Sequence, residues 1–136
     1  MRGVDAIMAA RRAESFAKRS IKASSMLDLT TLEGKDTAEK VRGLCRKALQ
    51  PVDVPAGRPA LEPPVPHVAA VCVYPTMVPV ACEALAGSGV HVAAVATGFP
   101  SAQYPLEVRL RDCADAIAAG AHEIDMVISR GLFLAG

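Results

Sequence analysis

Short runs that are apolar at every position alternate along this chain with longer stretches whose apolar residues recur every three or four positions. The clearest long stretch is 36–50, DTAEKVRGLCRKALQ, which sets Val41, Leu44, Cys45, Ala48 and Leu49 on one stripe and predicts a helix. Asp36 and Glu39 stand at capping-box spacing at its start. Pro51 ends it, and six prolines over 51–67 predict an extended connector. VAAVCVY, residues 68–74, is valine-rich, apolar throughout and flanked by prolines, as a strand buried on both faces is. A short helix over 76–85 follows, with Thr76 as its cap and Gly87 and Gly89 closing it. VHVAAVAT, residues 90–97, is the next strand. A helix beginning near Pro105 aligns Leu106, Leu110, Cys113, Ala114 and Ile117 on one face and stops at Gly120. EIDMVIS, 123–129, is a further strand, and SMLDLT, 25–30, is a shorter one ahead of the first of these helices. Residues 1–24 precede it as a helical segment.

The resulting order, β-α-β-α-β-α-β over 25–136, predicts an α/β protein with right-handed crossovers and a parallel sheet. Such a sheet closes as a doubly wound sheet or as a (β/α)8 barrel. A doubly wound nucleotide binder carries a glycine-rich turn after its first strand, and LTTLEGKDT has one glycine. A barrel takes about 250 residues. Four strand-helix units in 136 residues therefore predict the N-terminal half of a (β/α)8 TIM barrel.

Composition narrows the function classes. With 51% hydrophobic residues the chain can bury one core, and a net charge of +1 gives no general case for a nucleic-acid or membrane partner. The basic residues of 1–22 are interrupted by Asp5 and Glu14, which fits a solvated amphipathic helix better than a basic arm or transit peptide. Cys45, Cys72, Cys82 and Cys113 lie far apart without metal-ligand spacing, which predicts no metal site, no disulfide scaffold and a reducing, cytoplasmic setting. No apolar run approaches the roughly 20 residues that span a bilayer.

Three strand positions stand out chemically: Asp28, Cys72 and Asp125, each in the later part of its strand, where barrels build their sites. Alternation sets Asp28 with Met26 and Thr30 on one face and Asp125 with Val127, pointing both carboxylates into the barrel. A buried carboxylate is costly unless a cation or several donors satisfy it. None of the four strands holds a lysine or arginine, and the lysines Lys18, Lys22, Lys35, Lys40 and Lys47 all precede the second strand. Charge balance thus predicts cations supplied from elsewhere. Blander readings stand beside this one. A strand cysteine is more often a small buried hydrophobe than a reactive thiol, and Asp28, followed by Thr30 and Thr31, can serve a turn. Asp125, between Ile124 and Met126, has no turn role open to it. His67, His91 and His122 fall near strand starts, where surface or capping roles are expected.

LDLTTLEGKDT (27–37), AAVCVYP (69–75), VAAVATGFP (92–100) and AGAHEIDMVI (119–128), in this order, resemble the 2-deoxyribose-5-phosphate aldolase family. The resemblance implies a class I aldolase of deoxyribonucleoside catabolism that cleaves 2-deoxy-D-ribose 5-phosphate to acetaldehyde and D-glyceraldehyde 3-phosphate through a lysine Schiff base, without metal or cofactor. It gives Asp125 the proton-shuttling role and places Cys72, Asp28 and Thr30 against the substrate. The family's Schiff-base lysine, its second active-site lysine and its glycine-rich phosphate loop lie on later strands. The chain is therefore expected to be inactive alone. Two alternatives remain open: a non-catalytic half-barrel module that associates with itself, and one chain of a split aldolase.

Overall fold

The computed structural model describes residues 2–54, 56, 57 and 64–136. Its elements in chain order are α1 (Arg2–Ser24), β1 (Asp28–Thr30), α2 (Ala38–Leu49), β2 (Ala70–Val73), a 3-10 turn (Pro75–Met77) leading into α3 (Val78–Ala84), β3 (His91–Ala96), α4 (Leu106–Ala118), β4 (Glu123–Met126) and α5 (Arg130–Ala135). The expected α/β order is present. The proline-rich connector over 51–67 falls in part outside the described residues.

The four strands lie side by side in the order β1-β2-β3-β4, and each neighbouring pair is parallel. Consecutive parallel neighbours joined by helices are the repeating unit of a barrel wall, and no strand order reverses as it does in a doubly wound sheet. Both faces of the central strands are out of water: every residue of β2 is buried, as are Val92 through Ala96 of β3. On the helix side Val71, Val73, Val92 and Ala94 pack with Val41, Cys45 and Ala48 of α2, Val78 and Ala81 of α3, and Ala116 of α4. Leu29 and Ile124 flank this layer from the two edge strands.

Several details depart from the sequence reading. Thr37, not Asp36, caps α2, its side chain accepting the Lys40 backbone N–H. Asp36 is diverted to the preceding loop, where its carboxylate accepts the Thr31 hydroxyl at 2.9 Å, the Glu33 N–H at 2.9 Å and the Lys40 ammonium at 2.6 Å. The Lys40 contact is the main cause that holds the Asp36 carboxyl below its usual range. Thr76 caps no helix: it lies inside the 3-10 turn, and α3 starts at Val78 with no side-chain cap. β4 ends at Met126 because Thr97, with φ of 65°, turns the end of β3 out of extended geometry. Its hydroxyl oxygen then stands 2.8 Å from the Val127 N–H and 2.7 Å from the Val127 carbonyl, so a side chain takes over where the backbone ladder stops.

The stripe of α4 shows the largest difference. Leu106, Leu110 and Ile117 are each about 60% exposed, and Ala116, about a quarter-turn away, is what meets the sheet. Alanine lets the helix approach closely, and the leucine-isoleucine stripe then faces sideways, past β4. Met126, Ile128, Leu132, Phe133 and Leu134 are exposed too. The β4 side of the sheet thus carries a broad uncovered apolar surface, the position a next strand-helix unit occupies in a barrel.

The helix-side layer dominates stability. Val92 is fully buried, and removing its two methyls deletes transfer energy and leaves a cavity, about 2 kcal/mol together. Val92→Ala is expected to lower unfolding free energy by that amount in a denaturant titration. Leu134→Ala, at an 83% exposed position, should change it by less than about 0.5 kcal/mol.

Candidate active site on the inner sheet face

The face of the sheet opposite the helices carries the residues singled out from the sequence. Pairing register sets Asp28 beside Ala70, Thr30 beside Cys72, Cys72 beside Ala93, and Asp125 beside Val95. Side chains alternate between faces along a strand, so Leu29, Val71, Val92, Ala94 and Ile124 go to the helices. Asp28, Thr30, Cys72 and Asp125 share the other face, as alternation predicts for Asp28, Thr30 and Asp125.

Cys72 and Asp125 come together there. β3 lies between their strands, and strands two apart are separated by roughly 9–10 Å. The residues facing inward between them are Ala93, the register partner of Cys72, and Val95, that of Asp125, and the Cys72 thiol donates to Asp125 Oδ2 at 3.7 Å. Cys72 is buried with Ala93 and Val95 beneath Leu32, Tyr74 and Phe99. Tyr74 and Phe99 meet edge to face with ring centroids 6.0 Å apart. Burial, foremost, and then the charges of Asp125, Asp28 and Glu123 push the Cys72 thiol up to about 12. The neutral thiol is therefore a hydrogen-bond donor to the carboxylate and a poor nucleophile at neutral pH.

Asp28 and Thr30 are exposed on β1, and Asp125 is exposed on β4, at the two edges of the face. Among the described residues no lysine or arginine pairs with Asp28 or Asp125, while Glu123 meets His91 at 2.6 Å near the strand starts. The face thus presents carboxylates without a counter-cation. His122 is a capping residue: its ring Nδ1 accepts the Val92 N–H at 2.9 Å. No group of three or more potential metal ligands exists among the described residues.

The loop after β3 contributes residues the strand pattern did not single out. Gly98, at φ of 77°, donates its N–H to Asp112 Oδ2 at 3.0 Å, and a Cβ there would stand 2.7 Å from the Tyr104 ring. Glycine is required at this spot. The arrangement holds Phe99 over the Cys72 patch. The signal available in sequence was the TGFP string, in which only the flanking strand had a pattern to read. A cavity of about 630 Å³ lies beside Phe99 between Tyr74, Tyr104 and α4, and neither Asp125 nor Cys72 lines it. The cavity touches the inner face only at Val95, Tyr74 and Phe99, so the chemical groups and this hollow do not coincide.

Sequence comparison gives the same kinship as the motifs. No family model matches the chain. Deoxyribose-phosphate aldolase of Bos taurus is 46% identical over 120 residues, 85% of this chain, and that of Homo sapiens is 43% identical over 120 residues. The solved deoxyribose phosphate aldolase of Aeropyrum pernix superposes with a TM-score of 0.62 at 27% identity, covering 82% of this chain and 41% of the other. This chain spans 37% of the length of the Bos taurus and Homo sapiens proteins, and over that span it is homologous to deoxyribose-phosphate aldolases.

Proposed function

We propose that this chain supplies the acid-base and substrate-lining wall of a class I aldolase that cleaves 2-deoxy-D-ribose 5-phosphate to D-glyceraldehyde 3-phosphate and acetaldehyde. The observation that carries the reading is the cation-free inner face, where Asp125 and Cys72 meet at 3.7 Å with Asp28 and Thr30 on the opposite edge. The Schiff-base lysine then comes from further strand-helix units of the barrel, which cover the exposed faces of β4 and α4. In the assembled site that amine adds to the substrate aldehyde, and the carbinolamine loses water to give the iminium. Asp125 carries protons in this dehydration and in the carbon-carbon cleavage that follows. Cys72 stays neutral and fixes the carboxylate by its donated hydrogen bond. Asp28 and Thr30 hold the substrate from the β1 side. Burial inside the completed barrel and a second cation beside it let that lysine lose its proton more readily than in water.

The uncovered apolar surface along α4 and β4 favours a completed barrel over a self-sufficient half. Borohydride trapping with acetaldehyde tests the assignment of roles. The isolated chain is expected to gain no specific lysine adduct. Combined with the remaining strand-helix units of the Bos taurus relative, it should give one reduced adduct, on a lysine of those units. Asp125→Asn should slow formation of that adduct by about 10²-fold or more. A stoichiometric adduct on one of this chain's own lysines would refute the assignment.

The Cys72 thiol offers a second check. Its high pKa arises partly from the Asp125 charge, so removing that charge lowers it and increases the thiolate fraction at any fixed pH. Iodoacetamide labelling of Cys72 at pH 8.5 should be slow in the native chain and faster in Asp125→Asn. Equal rates in the two proteins would mean that the pair is not electrostatically linked.

A further inference from the structure

A second cluster lies outside the inner face, where the 3-10-free loop after β3 meets α4 and the start of α5. There a cavity of about 520 Å³ is bordered by Ser101, Gln103, Arg109, Ser129 and Arg130, and no aspartate or glutamate contributes to its wall. Arg109 Nη1 donates to Ser129 Oγ at 3.0 Å, and the Ser129 hydroxyl donates to the Ala102 carbonyl at 3.1 Å. Arg130 Nη2 reaches the Pro100 carbonyl at 3.4 Å. The Arg109 Nε–H is shut off from solvent and has no acceptor among the described residues. Neither arginine forms an ion pair with a described carboxylate, whereas Arg42, Arg46 and Arg111 each do.

A guanidinium that is partly withdrawn from water with an unfilled N–H is costly unless an anion compensates it. Arg109 is such a group, and the exposed Arg130 borders the same hollow with the Ser101 and Ser129 hydroxyls beside it. We infer that this cavity is a binding site for a phosphate dianion, as free phosphate or as the phosphoryl group of a phosphomonoester. Two planar guanidinium forks match its charge of about −2 and its three terminal oxygens, which outnumber the acceptors of a carboxylate. The volume leaves room for a few carbon atoms beside the phosphoryl group. The site is built by α4 and the β4–α5 connection, and it stands or falls independently of the aldolase reading.

The test is a titration of the isotopically labelled chain with inorganic phosphate at constant ionic strength and pH 7.5, followed by backbone amide shifts. Saturable shifts at Ser101, Ala102, Ser129, Arg130 and Gly131 are expected, with a parallel series in glycerol phosphate to separate a free-phosphate site from one that takes a monoester. Arg130→Gln, at an exposed position that leaves the fold intact, should weaken binding at least tenfold, and Arg109→Lys should do so as well. Absence of saturable shifts, an unchanged affinity in Arg130→Gln, or equal binding of acetate would overturn the proposal.

Discussion

Everything in this chain depends on a parallel sheet whose central strands must be dry on both faces. Parallel strands cannot be joined by a tight turn, so each connection crosses over the sheet and lays a helix on one side. The helix side is closed by valine and alanine: Val71, Val73, Val92 and Ala94 from the sheet against Val41, Ala48, Ala81 and Ala116 from the helices. Small and branched side chains allow close approach without voids. The inner side receives no helix. Among the described residues its cover is Leu32, Tyr74 and Phe99 over Cys72, Ala93 and Val95, so the centre of that face is dry while the edges remain wet.

That gradient accounts for the chemistry. Cys72 sits in the dry centre and is forced to keep its proton, whereas Asp125 and Asp28 sit on the wet edges and tolerate their charge. The Cys72 thiol links the two zones across β3, past inward-facing Ala93 and Val95.

The strand-helix order, the parallel pairing and the inward direction of Asp28, Thr30 and Asp125 were legible in the sequence, because a period of two sorts the residues of a strand between two faces, whereas Cys72 lies in a run that is apolar at every position and carries no alternation to read. What could not be read was decided by neighbours distant in sequence. Asp36 looked like a cap, but its carboxylate takes two donors in the loop, the Thr31 hydroxyl and the Glu33 N–H, and the Lys40 ammonium from α2, and Thr37 takes the vacant role. Residues 127–129 looked like strand, but Thr97 leaves the extended region one residue beyond β3 and captures Val127 through its hydroxyl. The apolar stripe of α4 was read as one face, and so it is, but the sheet meets the helix at Ala116 instead. The Arg109 and Arg130 cluster gave no sequence signal, since its members come from separate elements and share no spacing.

The α4 stripe also bears on how the edges of the sheet behave. Ladder hydrogen bonds are made on only one side of β1 and of β4, and such edges pair readily with other chains unless blocked by charge, proline or a bulge. Asp28 on β1 and Glu123 and Asp125 on β4 put charge on both edge strands, but β4 also carries exposed Met126 and is packed by α4, whose Leu110 and Ile117 are exposed. A second copy of this chain set against β4 would supply apolar cover, yet it would bring Asp28 and Asp125 again and add carboxylate to carboxylate inside the closed barrel. Like charges in that interior cost several kcal/mol. The surface is therefore better matched by strand-helix units that carry basic inward residues than by itself, so the charge pattern of the inner face limits which partners the apolar edge can accept.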